Sequence, residues 1–249
     1  MAMKNARKIS KAAVSGSTRA AEKYAVRRIP SGIPGFDALV GGGLVEKSMV
    51  VLRGDTGTGK TVFALQFMHS GIAKFSEPGI YISFNEDKEA LYTQAMVFGW
   101  DLEKLEAEGK FAFVRYEPHE VARVVEEGGG TIRDLIDSTG AKRLVMDSIT
   151  PYTLVFSNPY KENEAILDLF RILRSWQCTS LLISEGMASL AAAGHMERVA
   201  VLADAVINFH YVREQASRAR SLEILKMKDS GHSEKQVPCR LGPRGFEVL

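Results

Sequence analysis

Eight consecutive residues, Gly54-Asp-Thr-Gly-Thr-Gly-Lys-Thr61, match the spacing G-x-x-x-x-G-K-[ST] in full. Each position has a chemical reason. Gly54, Gly57 and Gly59 admit positive φ and close backbone approach, so successive N–H groups can turn inward onto phosphate oxygens. The Lys60 ammonium suits the β- and γ-phosphates, and the Thr61 hydroxyl suits a magnesium ion. A helix starting near Lys60 adds the partial positive charge of its N-terminus. Gly54, Asp55, Thr56, Gly57, Thr58, Gly59, Lys60, Thr61 and Val62 are therefore the expected nucleotide-binding set, with a triphosphate nucleotide and Mg²⁺ as the expected ligands. Two carboxylates are candidates to complete the chemistry. Asp147 ends the apolar run Leu144-Val-Met-Asp147 and is expected to hold Mg²⁺ through water. Glu86, beside Asn85 and Asp87, could polarise the attacking water, or simply belong to the acidic first turn of the next helix.

These residues need elements to hold them. Ser48–Arg53 is an apolar run that meets the glycine turn, and Phe63, Ala64, Phe67, Met68 and Ile72 recur near helical spacing over Thr61–Ala73. Gly79–Phe84, Lys110–Tyr116, Leu144–Asp147 and Thr179–Ser184 read as further strands. Asp87–Gly99 reads as a helix stopped by Gly99, and Ala165, Ile166, Leu169, Phe170, Leu173 and Trp176 trace one helical face. Continuous apolar strands alternating with helices predict a mostly parallel sheet covered on both faces. Such sheets bind ligands at the C-terminal ends of their strands. After about residue 204, Ala205–Tyr211, Ser221–Lys228, Lys235–Leu241 and Gly245–Leu249 read as short strands that extend the sheet antiparallel. Gly41-Gly-Gly43 and Gly128-Gly-Gly130 read as loops, and Trp100 and Trp176 as core.

The 249 residues are 45% hydrophobic and 25% charged, which excludes collagenous, coiled-coil and wholly disordered chains. No run of 18 uncharged apolar residues exists, so no membrane span is expected. Cys178 and Cys239 form no CxxC pair and read as two reduced thiols of a cytoplasmic protein. Residues 1–28 carry eight basic side chains against Glu22 alone, a charge of +7 that leaves −5 for the rest of a chain whose net charge is +2. The first 23 residues have too little apolar surface to offset chain entropy, so residues 1–26 are expected to be a flexible basic tail ahead of one domain, 27–249. That tail fits weak, non-specific nucleic-acid binding or an acidic partner, and equally a solvated leader.

Beyond the phosphate-loop motif, several segments coincide with one family: Ile33-Pro-Gly-Phe-Asp37 with Gly42-Gly-Leu44, Glu77-Pro-Gly-Ile-Tyr-Ile-Ser-Phe84, Phe98-Gly-Trp-Asp-Leu102, and Leu222-Glu-Ile-Leu-Lys-Met-Lys228 followed by His232. From about Arg27 to Leu249 the chain resembles the KaiC-like ATPases of the RecA superfamily, with one such domain where the clock protein has two. The resemblance implies a RecA-like P-loop fold and a ring, expected to be a hexamer, with ATP at subunit boundaries and an unknown protein partner. It implies that Glu86 activates water, although the family's adjacent pair of glutamates is here Asn85-Glu86. It also implies that Lys226 and Lys228 reach a neighbour's γ-phosphate and that His232 touches nucleotide. Lys228 stands where arginine is frequent and gives up the bidentate fork. The clock's Ser-Thr phosphorylation pair falls on Ala200-Val201, which have no hydroxyl, so that cycle is not carried over to these positions. Alternatives to the ring ATPase are an ATP-binding regulator that does not turn ATP over, a protein kinase acting on itself or a partner, and a DNA-dependent recombinase-like motor. Against the last, the segments expected to line a pore, 149–161 and 185–201, contain few basic residues, chiefly Lys161 and Arg198.

Overall fold

The computed structural model describes residues 25–156, 158–186, 198–214 and 217–249. The expected tail, residues 1–26, thus falls almost wholly outside the described residues, as does much of the expected pore segment 185–201.

In chain order, β1 (Arg28–Ile29), α1 (Phe36–Leu39) and β2 (Leu44–Val45) form a strap that leads into β3 (Met49–Gly54) and α2 (Lys60–Phe75). Next come β4 (Gly79–Ser83), α3 (Lys88–Met96), α4 (Leu102–Ala107), β5 (Phe111–Arg115), α5 (Pro118–Glu126), α6 (Gly130–Thr139) and β6 (Arg143–Asp147). The chain continues through α7 (Thr150–Leu154), α8 (Pro159–Ser175) and β7 (Thr179–Glu185), and ends in β8 (Ala205–Glu214), β9 (Ser217–Met227), β10 (Val237–Gly242) and β11 (Gly245–Val248).

Nine strands form one sheet in the order β11-β10-β9-β8-β3-β7-β6-β4-β5. Six of them, β8 to β5 in that order, run parallel, and β9, β10 and β11 continue the sheet antiparallel, as expected. Alternation along β3 divides the core. Val50 and Leu52 join the cluster that α2 covers, while Met49 and Val51 join the one on the opposite face. Under the phosphate loop, Phe63 of α2 packs edge-on against Phe36, Phe209 and Phe246 at ring-centroid distances of 5.2, 5.4 and 5.6 Å. The fully buried Arg143 donates to Glu77 and to the carbonyls of Phe67 (2.7 Å) and Pro30 (2.7 Å), tying the strap to α2. Trp100 and Trp176 are buried, and Cys178 and Cys239 are buried and free.

Sequence reasoning did not divide the strap, α7 or the stretch between residues 100 and 140. Between residues 100 and 140 it found one strand, where the structure adds α4, α5 and α6. Gly128 and Gly129 do take positive φ, +80° and +71°, but they join α5 to α6, and Gly130 is already the first residue of α6. A start signal for α5 was present: Pro118 is its first residue, and the Glu120 carboxylate accepts from the Glu117 N–H at 2.8 Å. The helix expected at Asp87–Gly99 is shorter, ending at Met96. No helix among the described residues is long and apolar enough to cross a membrane.

Candidate nucleotide site

The C-terminal ends of β3, β7, β6 and β4 lie side by side, and the phosphate-loop residues, Asp147 and Glu86 gather there, whereas Lys226, Lys228 and His232 do not. Gly57 and Gly59 have φ of +83° and +106°, as the loop requires. Gly54 departs from expectation: its φ is not positive. It is a strand residue, and a Cβ there would stand 2.4 Å from the Phe209 carbonyl oxygen of β8, so close approach of two strands demands the glycine. Thr58 is buried and its hydroxyl donates to the Asp55 carbonyl at 2.8 Å. Thr56 lies at the turn between β3 and α2. Lys60, Thr61 and Val62 open α2, and the first intrahelical bond is Phe63 N–H to Gly59 O at 2.9 Å, so their own N–H groups precede the helical ladder. The Val62 side chain packs into the core, which leaves only its backbone to a ligand.

The buried Lys60 ammonium donates to the carbonyls of Gly54 (2.8 Å) and Asp55 (2.9 Å). Burial lowers its pKa, opposed by the charges of Glu185, Asp147 and Asp55. Asp147 Oδ2 accepts from the Thr61 hydroxyl at 3.0 Å and from the Tyr81 hydroxyl at 2.7 Å. Burial pushes the Asp147 carboxyl above its ordinary value, although both of those hydrogen bonds and Lys60 pull the other way. The peptide bond after Asp147 is cis. Glu86 is exposed and held by a tight turn, in which the Ser83 hydroxyl accepts from Glu86 N–H and donates to Glu86 O, both at 2.9 Å. Partial burial and the charges of Asp147 and Glu185 raise the Glu86 pKa.

A hydroxyl and an adjacent buried carboxylate fit a hard cation. Among the described residues no group of three or more His, Cys, Asp or Glu could by itself hold a metal. That donor set suits magnesium, which keeps several waters and shares its remaining positions with phosphate oxygens. Thr61 and Asp147 are the residues that would hold it.

Lys226 and Lys228 lie at the opposite end of the sheet. Met49, the first residue of β3, donates its N–H to Asp204 Oδ2 at 3.0 Å, and Asp204 Oδ1 pairs with Lys228 at 3.3 Å. Gly54 closes the same strand, about 16 Å away at the usual rise per residue. Lys226 donates to the carbonyls of Ala200 (3.0 Å) and Val201 (2.9 Å). Lys228 stands one residue beyond β9, so strand alternation does not set its direction; what joins the two lysines is the segment 200–204 that both contact. His232 sits in the following turn, between Ser230 and Ser233, which bond to the carbonyls of Val40 (3.1 Å) and Leu39 (2.8 Å).

Sequence reasoning missed Tyr81, Ser83 and Glu185. Tyr81 and Ser83 share a face of β4 next to β6, where Ser83 pairs with Asp147. Glu185 pairs with Gly54 across β3 and β7. Strand order carries that information, and neither residue belongs to a local motif.

Comparison with known proteins agrees with the geometry. The family model described as "ATPase: KaiC" matches residues 29–249. A UPF0273 protein of Thermotoga maritima is 32% identical over 90% of this chain and 96% of its own length. The circadian clock oscillator protein KaiC of Prochlorococcus marinus subsp. pastoris is 32% identical over 91% of this chain, which spans 46% of that longer protein. The crystal structure of a KaiC-like protein from Pyrococcus horikoshii superposes with a TM-score of 0.79 at 37% identity, covering 90% of this chain and 99% of that one. The phosphate loop, the mixed sheet and these matches together place the chain in the KaiC-like ATPase family, with one such domain over residues 29–249 and a RecA-like fold.

Proposed function

We propose that this protein binds Mg-ATP at the C-terminal edge of its sheet, hydrolyses it, and assembles into a ring, read as a hexamer, in which the Lys226 and Lys228 of one copy complete the site of the next. The observation that carries the reading is the convergence of Lys60, Thr61 and Asp147 within hydrogen-bond reach of one loop. On binding, the Lys60 ammonium exchanges the two loop carbonyls for phosphate oxygens. Magnesium held by Thr61 and Asp147 would offset the charge of the triphosphate. Glu86, fixed by Ser83, accepts the proton of the attacking water, and its raised pKa makes it a better base than an ordinary glutamate. Asn85 is an amide and takes no proton, so a single carboxylate carries that step. Lys226 and Lys228, at the far end of β3 from their own loop, are of use to a phosphate only on another copy. The ring's nucleotide state would then bias the binding of a protein partner. Two free buried thiols fit a cytoplasmic setting.

Replacing Lys60 tests the foundation. Lys60→Ala should weaken ATP binding by about 100-fold, the scale of losing charged hydrogen bonds, measured by calorimetry on folded protein. Unchanged affinity would remove the nucleotide reading.

A further inference from the structure

The β8–β9 hairpin touches the phosphate loop at a place no local motif marks. The Tyr211 hydroxyl, on β8, donates to the Gly57 carbonyl at the crown of the loop. Arg220, on β9 and paired with Tyr211 across the ladder, donates to the same carbonyl at 3.2 Å and to the Tyr211 oxygen at 3.2 Å. The guanidinium carbons of Arg220 and Arg218 lie 5.3 and 5.5 Å from the Tyr211 ring centroid and so fix the ring's position. The result is a directional chain, from guanidinium to phenol to carbonyl, in which each bond polarises the next.

We infer that Tyr211 is a positioning residue for the phosphate loop. The inference rests on the reading of that loop as a nucleotide cradle. In a trans peptide the C=O and the following N–H point in opposite directions. Holding the Gly57 carbonyl outward against Tyr211 therefore turns the Thr58 N–H into the loop, where it makes only a long 3.4 Å contact with the Asp55 carbonyl. That N–H is a donor set in place before the phosphate arrives, and the loop is spared part of the ordering cost of binding. A Cβ at Gly57 would stand 3.1 Å from the Tyr211 hydroxyl, so the two groups are fitted to each other. The hairpin also ends, on the far side, at Lys226 and Lys228. The paired strands thus connect the cradle of their own chain to the cations proposed for the neighbour's.

Tyr211→Phe deletes the hydroxyl and keeps the ring beneath both guanidiniums, so the fold is retained. Amide hydrogen exchange of the ligand-free protein should quicken over residues 54–61 by about three- to tenfold, the factor of one ordinary hydrogen bond. The ATP dissociation constant and KM should rise by a similar factor, with kcat at saturation unchanged. Exchange and affinity equal to those of the unaltered protein would overturn the inference. So would faster exchange spread evenly over β8 and β9, which marks a structural role. Should the unaltered protein bind no ATP, the nucleotide reading falls, while the exchange comparison still decides whether Tyr211 holds the loop.

Discussion

The two ends of the parallel sheet carry opposite arrangements of charge. At the C-terminal end, the charges of Glu185, Asp147 and Asp55 act on one buried ammonium, Lys60, and desolvation shifts Lys60, Asp147 and Glu86 toward their neutral forms. At the N-terminal end, Lys226 and Lys228 rest on two carbonyls and on Asp204; burial lowers the Lys226 pKa as well, while Lys228 is exposed. The first end is built at a cost in solvation that a cationic or phosphate ligand would relieve. The second is a pair of cations resting on weak internal partners, available to a stronger anion.

Glu86→Gln gives the strongest test of the first end. If the raised carboxyl takes the proton of the attacking water, kcat for phosphate release should fall by about 10³-fold while ATP affinity stays within threefold. In the unaltered protein the base must be deprotonated, so turnover is full at high pH and falls as pH drops through the raised Glu86 value, earlier on acidification than an ordinary glutamate would allow. Equal, background rates in both proteins would instead mark an ATP-binding regulator that does not turn ATP over.

How much of each end was legible in the sequence follows the same division. The phosphate loop was legible because one loop holds every part of it, and Asp147 because a carboxylate ending an apolar strand has one place to be in a parallel sheet. Glu185 and Tyr81 were not, because they reach the site through strand order: β7 lies between β3 and β6, and no residue pattern in either strand states this. Gly54 was identified correctly as a required glycine but for the wrong reason, since its neighbour Phe209 lies 155 positions along the chain. Lys226 and Lys228 were picked out by resemblance, and their partners at residues 200–204 depend on how β9 returns along β8. The helices between residues 100 and 140 were legible in principle: Val121, Val124 and Val125 in α5 and Ile132, Leu135 and Ile136 in α6 stand at i, i+3, i+4 spacing, and only α4, with Leu102 and Leu105, is too short to display a period.

Lys228→Ala probes the second end. Removing one cation supplied to a neighbour's phosphates should lower kcat by about 10²-fold, below the best arginine cases because lysine is a point charge. Stability should change by less than about 1 kcal/mol, since the Asp204 pair is exposed. A mixing experiment separates copies. Subunits with Lys60→Ala keep Lys228, and subunits with Lys228→Ala keep the cradle. Neither works alone, and mixed rings should recover part of the turnover. Failure of the mixture to exceed the sum of its components would place Lys228 outside the reaction.

The smallest expected effect bears on the solvation cost itself. Burial raises the folded-state pKa of Asp147 above its unfolded value. A carboxyl raised in this way contributes stability that is fully present below the unfolded pKa and is lost as pH rises through the folded one, so at neutral pH its charge is a net cost to the ligand-free chain. Asp147→Asn keeps an oxygen for the Tyr81 and Thr61 hydroxyls and removes the charge. The ligand-free variant should therefore melt about 2 °C higher than the unaltered protein at pH 7.5, with the difference shrinking as pH is lowered toward 4. Adding Mg-ATP should reverse the order, because only the carboxylate form gains the full stabilisation of a bound ligand. Calorimetric scans across that pH range check both halves. A variant that melts lower at pH 7.5 without ligand would mean that Lys60 and the two hydroxyls outweigh burial, and the contrast between the two ends of the sheet would then be one of position alone.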